Sequence, residues 1–140
     1  MDKLIIEGGH ALQGEVNISG AKNSAVAILP AALLAGATST IKNLPDIKDV
    51  ANIMDILIQL GADVKRDGRD RLIINSSGIS TYKVDFELSK KLRASYYFIG
   101  ALLGRFKKAE VPFPGGCDIG VRPIDQHIKG FEALGAKITI

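Results

Sequence analysis

The segment VANIMDILIQLGA, residues 50–62, is answered by IDQHIKGFEALGA, residues 124–136, and this pair decides how the chain is organised. Met54, Leu57 and Leu60 of the first stand where Ile128, Phe131 and Leu134 stand in the second, 74 positions on (60 and 134). Both sets form an apolar stripe at helical spacing. Each segment ends on Leu-Gly-Ala, with glycine where a helix most readily closes through a left-handed residue. Upstream, Ala32-Leu33-Leu34 matches Ala101-Leu102-Leu103, 69 positions on (32 and 101). Each unit therefore reads helix, strand, helix, strand, and the second holds five more residues before its second helix (74 against 69). Repeats of this kind bury their apolar faces on one another and seldom stop at two.

Working outward, the first unit opens with an apolar helix from Asn23 or Ser24, either a plausible cap, through Leu34. Pro30 should kink this helix or mark a tight packing site, and Gly36 stands just past its end. A β-branched strand is expected over residues 38–43, a turn at Pro45-Asp46, and a helix over 49–60. A hairpin follows about Asp67-Gly68, pairing residues 63–66 with 71–75. The second unit reads as one long helix over 86–104, a strand over 108–113, a glycine-rich loop over 114–120, a helix opened by Arg122-Pro123, and a strand over 136–140. Ahead of both units, residues 3–7 and 12–19 flank Gly8-Gly9 and predict a hairpin. The strand at 136–140 has no turn and no partner after it, which is the expectation for a cut chain.

Composition narrows the function classes. The 140 residues are 46% hydrophobic and 24% charged, which excludes a disordered tail, a coiled coil and a collagen-like repeat. The longest apolar run, residues 25–37, is broken by Pro30 and Gly36, short of a membrane span. Met1-Asp2-Lys3 leads straight into strand-like sequence, so no signal peptide is expected. One cysteine cannot form an internal disulfide and fits a reducing, cytoplasmic setting. A net charge of +3 with 6% aromatics and no Trp argues against a nucleic-acid face. It suits an anionic small molecule at least as well.

Four places could carry chemistry. Lys22-Asn23 at a glycine-preceded helix start has the free N–H groups and the cation of an anion site, although a solvated Lys beside a helix cap looks the same in sequence. Arg93 is a cation within an apolar helix and is equally readable as its wet side. Arg122-Pro123 puts another Arg at a helix entrance, with proline at the favoured first position. Asp125, one turn in, could serve a ligand or the helix dipole. Cys117, in Pro114-Gly-Gly-Cys117-Asp-Ile-Gly120, is either a small buried hydrophobe or a thiol favoured by a nearby cation. His10, Lys90 and Lys91 read as surface residues. One Cys and two distant His residues lack metal-ligand spacing.

Ser19-Gly-Ala-Lys22-Asn23, Leu92-Arg93-Ala94-Ser95 and Pro114-Gly-Gly-Cys117-Asp-Ile-Gly-Val-Arg122-Pro123-Ile124-Asp125 together closely resemble the UDP-N-acetylglucosamine 1-carboxyvinyltransferase family of enolpyruvyl transferases, over residues 1–140. The resemblance implies transfer of the enolpyruvyl group of phosphoenolpyruvate to the 3′-hydroxyl of UDP-N-acetylglucosamine, with release of phosphate and with no cofactor or metal. It implies an α/β inside-out barrel of βαβαββ-like units, three to a domain, of which this chain would hold two as a partial domain over residues 21–140. The hairpin over residues 1–20 would belong to the other, absent domain. Cys117 would act in proton transfer or product release and would be alkylated by fosfomycin. Lys22, Asn23 and Arg122 would bind phosphoenolpyruvate, and Arg93, Arg122, Pro123, Ile124, Asp125 and Gln126 the UDP-sugar. Neither nucleic acid nor membrane is an expected partner, and the isolated chain is expected to be inert. The sister 5-enolpyruvylshikimate-3-phosphate synthases resemble it less, having Gly-Ser-Lys-Ser at the lysine and no Cys loop. A non-catalytic UDP-sugar-binding paralogue is the alternative of another class.

Overall fold

The computed structural model describes residues 3–113 and 123–140. Helix α1 (Lys22–Ala31) runs into a 3-10 turn (Ala32–Ala35), and strand β1 (Thr38–Ile41) follows. Helix α2 (Lys48–Gln59) leads to the hairpin β2 (Asp63–Asp67) and β3 (Arg71–Asn75). Helices α3 (Phe86–Lys90), α4 (Tyr97–Phe106) and α5 (Asp125–Ala133) complete the described elements. The three strands form one antiparallel sheet in the order β1-β3-β2, with Thr38 opposite Asn75 and Asp67 opposite Arg71. The turn between β2 and β3 passes through Gly68 in the left-handed region, as Asp-Gly predicts.

The core lies between the helices and one face of this sheet. Leu29 and Leu33 from the α1 region, Ile53, Ile56 and Leu57 from α2, Leu72 and Ile74 from β3, and Phe98 and Leu102 from α4 are all sealed from solvent. Each such side chain contributes about 1.5–3 kcal/mol by leaving water. After Pro30 the helix tightens into the 3-10 turn, consistent with the donor that proline lacks. Gly36 then reverses it in the left-handed conformation expected of it. At Gly104 a Cβ would lie 2.8 Å from Leu34 Cδ2, so α4 approaches the 3-10 turn at glycine distance.

The two quoted segments end alike. Ala62 N–H donates to the Leu57 carbonyl at 3.0 Å, and Ala136 N–H to the Phe131 carbonyl at 3.0 Å. Gly61 N–H reaches Ile58, and Gly135 N–H reaches Glu132, both at 2.9 Å. Both glycines have positive φ. This is the same helix-closing motif, twice.

The barrel expectation is corrected: the described residues form an α+β fold with one open, three-stranded sheet, not an inside-out α/β barrel of repeated βαβαββ-like units. A barrel needs every strand paired on both sides, and here β1 and β2 are free edges. The second unit supplies no ladder. Residues 108–113 make only a single parallel bridge, Lys83 to Glu110, and residues 136–140 form no strand. The long helix expected over 86–104 is two helices, broken at residues 91–96. Residues 3–20 likewise form no ladder, and Leu4, Ile6, Leu12 and Ile18 among them are largely exposed.

Candidate active site

Helix α1 starts without a cap. Its N-cap position is Ala21, and neither Asn23 nor Ser24 bonds back to the backbone as the sequence suggested. No acidic residue stands in the first turn, so the leading N–H groups and the positive end of the helix dipole are left for another acceptor. Gly20 explains how the chain enters there. A Cβ at that position would fall inside the envelope of the Asn43 carbonyl, and Asn43 itself takes a left-handed φ of 57°. A shallow cleft of ≈ 250 Å³ opens beside this start, bordered by Gly20, Ala21, Ser24, Lys42 and Asn43.

Lys22 is the first residue of α1 and pairs with Asp49 of α2, Nζ to Oδ2 at 2.6 Å. The lysine side chain is 58% exposed and the carboxylate 27%, so the carboxylate holds the ammonium from below while leaving it open to solvent. Sequence reading missed Asp49, because an acid in the first turn of a helix already has a dipole explanation.

Arg93 sits in the turn between α3 and α4, exposed, and it makes no hydrogen bond or ion pair among the described residues. It is therefore not on the wet side of a continuous helix, because the helix is interrupted there. Pro123 and Ile124 precede α5, which begins at Asp125, two residues later than Arg122-Pro123 led us to expect. Ile124 is buried, whereas Asp125 and Gln126 are exposed and bonded to each other at 3.1 Å. Cys117 and Arg122 lie outside the described residues.

The described candidates are linked through α2 and an aromatic contact. Asp49 holds Lys22, and Asn52 Nδ2 of the same helix donates to the Lys91 carbonyl at 2.8 Å, at the start of the turn that carries Arg93. The Tyr96 ring, at the far side of that turn, meets the His127 ring edge-on at 5.1 Å, one turn into α5. Lys22, Arg93 and the start of α5 thus lie on successive, connected elements. The larger hollow, ≈ 420 Å³, lies between α4, residues 109–113, α5 and residues 136–140, and Ile124 and His127 at the start of α5 line it. Its walls are mostly apolar, including Ile99, Leu103, Phe113, Phe131 and Ile138, with Lys137 and Thr139 among the few polar ones. Among the described residues no group of three acids, histidines or cysteines could hold a metal ion. No described helix is long and apolar enough to cross a membrane.

Residues 6–140 match the family described as EPSP synthase (3-phosphoshikimate 1-carboxyvinyltransferase). A UDP-N-acetylglucosamine 1-carboxyvinyltransferase of Clostridium botulinum is 59% identical over 141 aligned positions, covering 100% of this chain and 34% of the relative. A second, of Caldanaerobacter subterraneus subsp. tengcongensis, is 57% identical over 140 residues, covering 100% of this chain and 33% of the relative. The chain thus spans about a third of the length of these relatives. Among solved structures, the enolpyruvyl transferase NikO from Streptomyces tendae aligns with a TM-score of 0.63 at 33% identity, over 71% of this chain and 23% of that one.

Proposed function

The chain belongs to the EPSP synthase family of enolpyruvyl transferases, and on that footing we propose that it forms one wall of the active site of a UDP-N-acetylglucosamine 1-carboxyvinyltransferase. The reaction moves the enolpyruvyl group of phosphoenolpyruvate to the 3′-hydroxyl of UDP-N-acetylglucosamine, in the first committed step of cytoplasmic peptidoglycan synthesis. The observation that carries the reading is the uncapped start of α1, with Lys22 beside it and held by Asp49 at 2.6 Å. Free N–H donors and a fixed ammonium at one helix end recognise a phosphate dianion. The identity of 57–59% to relatives named for the UDP-sugar supports that acceptor over shikimate 3-phosphate.

In the chemistry proposed, the sugar hydroxyl gives up its proton to a base as its oxygen bonds to C2 of phosphoenolpyruvate, while C3 takes a proton. C3 then loses a proton, the double bond re-forms, and the C2–O bond to phosphate breaks with its electrons leaving on phosphate. Lys22, Asn23 and Arg122 bind the phosphoenolpyruvate, and positive charge around the departing phosphate lowers the barrier to its release. Cys117 handles a proton at C3 or aids release of product. Arg93 and residues 123–126 hold the UDP-sugar. The remaining wall, and a partner for the exposed apolar residues of 3–20, come from sequence outside this chain, so residues 1–140 alone are inert.

Phosphate release by the complete enzyme, with phosphoenolpyruvate and either UDP-N-acetylglucosamine or shikimate 3-phosphate as acceptor, tests the proposal. Release with the UDP-sugar alone is expected. Release with shikimate 3-phosphate, or tight binding of the UDP-sugar without release, overturns it.

A further inference from the structure

Three of the polar side chains of helix α2, Asp49, Asn52 and Gln59, tie it to other parts of the chain. Each reaches a different segment. Asp49 takes Lys22. Gln59 grips the extended residues 83–85, with Nε2 donating to the Lys83 carbonyl at 3.1 Å and Oε1 accepting from Asp85 N–H at 3.0 Å. Asn52 donates to the Lys91 carbonyl at 2.8 Å, across 39 positions of sequence.

Asn52 is only 8% exposed and flanked by the sealed Ile53 and Ile56. An amide placed there is costly unless bonded. The carbonyl it meets lies where the helical ladder has already ended, since neither the Lys90 nor the Lys91 carbonyl takes a backbone N–H among the described residues. Lys91 and Leu92 still donate back to Leu88 and Ser89, but Ser95 donates to Leu92, and no backbone N–H of the described residues takes the Lys91 carbonyl. The Asn52 amide therefore occupies the acceptor that a continuous helix over 86–104 would have used. From that point the chain proceeds by tight turns, Ser95 to Leu92, Tyr97 to Ala94 and Phe98 to Ser95. Arg93 leaves the backbone two residues past the anchored carbonyl, with no side-chain partner of its own among the described residues.

We infer that Asn52 is a positioning residue: by fixing the Lys91 carbonyl to the helix that also holds Lys22, it sets where Arg93 stands relative to the phosphate-binding lysine. The inference rests on the proposed reading in which Arg93 meets the UDP-sugar. A polar brace three residues from Asp49 lets one rigid helix register two cations contributed by segments that are about 70 positions apart (22 and 93).

The test uses the complete enzyme, with UDP-N-acetylglucosamine affinity by calorimetry, turnover, and melting temperature read together. Asn52→Asp keeps the outline of the side chain and puts an acceptor where the donor was. It is expected to weaken UDP-sugar binding about ten-fold with the KM for phosphoenolpyruvate unchanged, and Asn52→Gln is expected to recover part of the loss. In an Arg93→Ala background, Asn52→Asp should change UDP-sugar affinity by less than about two-fold, because the residue through which it acts is gone. Additive losses in the two backgrounds, or a lowered melting temperature with unchanged affinity, overturn the inference. An unmodified enzyme that binds the UDP-sugar without turnover overturns the transfer reading instead, with the Asn52 comparisons still readable by calorimetry. An unmodified enzyme that does not bind it overturns both.

Discussion

Lys22 Nζ, at the start of α1, lies 2.6 Å from Asp49 Oδ2, in the first turn of α2. With more than half of the lysine side chain in solvent, the pair is worth at most about 1 kcal/mol to folding. Its value is positional, since an unrestrained lysine loses about 1.5–2 kcal/mol of rotamer entropy when it is fixed on a ligand. Asp49→Asn is therefore expected to move stability by less than about 1 kcal/mol while raising the KM for phosphoenolpyruvate several-fold. Urea denaturation beside steady-state kinetics separates the two. A large loss of stability with unchanged KM would make Asp49 purely structural.

Gly20→Ala is expected to destabilise the chain by about 1–3 kcal/mol, the usual cost of forcing a methyl into occupied space. The occupied space is the Asn43 carbonyl. Gly130→Ala is the contrasting control, because nothing lies within 4 Å of its Cβ position and it sits inside α5. That change should stabilise by about 0.5–1 kcal/mol through helix propensity. Thermal or urea unfolding of the two variants should shift in opposite directions. Equal shifts would contradict the close approach at Gly20.

Much of the first unit was legible because its signals are local. The apolar stripe of α2, the closing Gly61 and the Asp67-Gly68 turn each act within a few residues, and each took its expected form. What sequence did not reveal depends on distant partners. The break at residues 91–96 falls where Asn52, 39 positions away, bonds the Lys91 carbonyl, in a stretch whose own composition favours one continuous helix. The strands expected over 108–113 and 136–140 have the right residue types but almost no ladder to join, and β propensity without a neighbour builds nothing. The Lys22-Asn23 motif marked where α1 starts, yet the expected side-chain cap did not form. Asp49 was hidden among ordinary first-turn acids.

Lys83 provides a test of electrostatics away from the site. Its ammonium lies 2.8 Å from Glu110, and hydrogen bonding to that carboxylate, with its charge, raises the lysine pKa above 10.5. A raised folded-state pKa gives stability that is present in full below 10.5 and is lost as pH climbs through the higher folded value. The melting-temperature difference between the unmodified chain and Lys83→Met should be small at pH 8 and shrink further above pH 10.5. A difference that grows with pH would contradict the sign.

Cys117→Asp in the complete enzyme should retain turnover and escape fosfomycin. A carboxyl can still carry a proton, but it is a weaker nucleophile toward an epoxide than a thiolate. Time-dependent inactivation at the unmodified rate would contradict this role.

Binding of the phosphate of phosphoenolpyruvate at the start of α1 is tested by the KM values of Lys22→Ala for the two substrates. The KM for phosphoenolpyruvate should rise well beyond any rise for UDP-N-acetylglucosamine. Equal rises for both would make Lys22 a structural residue and contradict phosphate binding there.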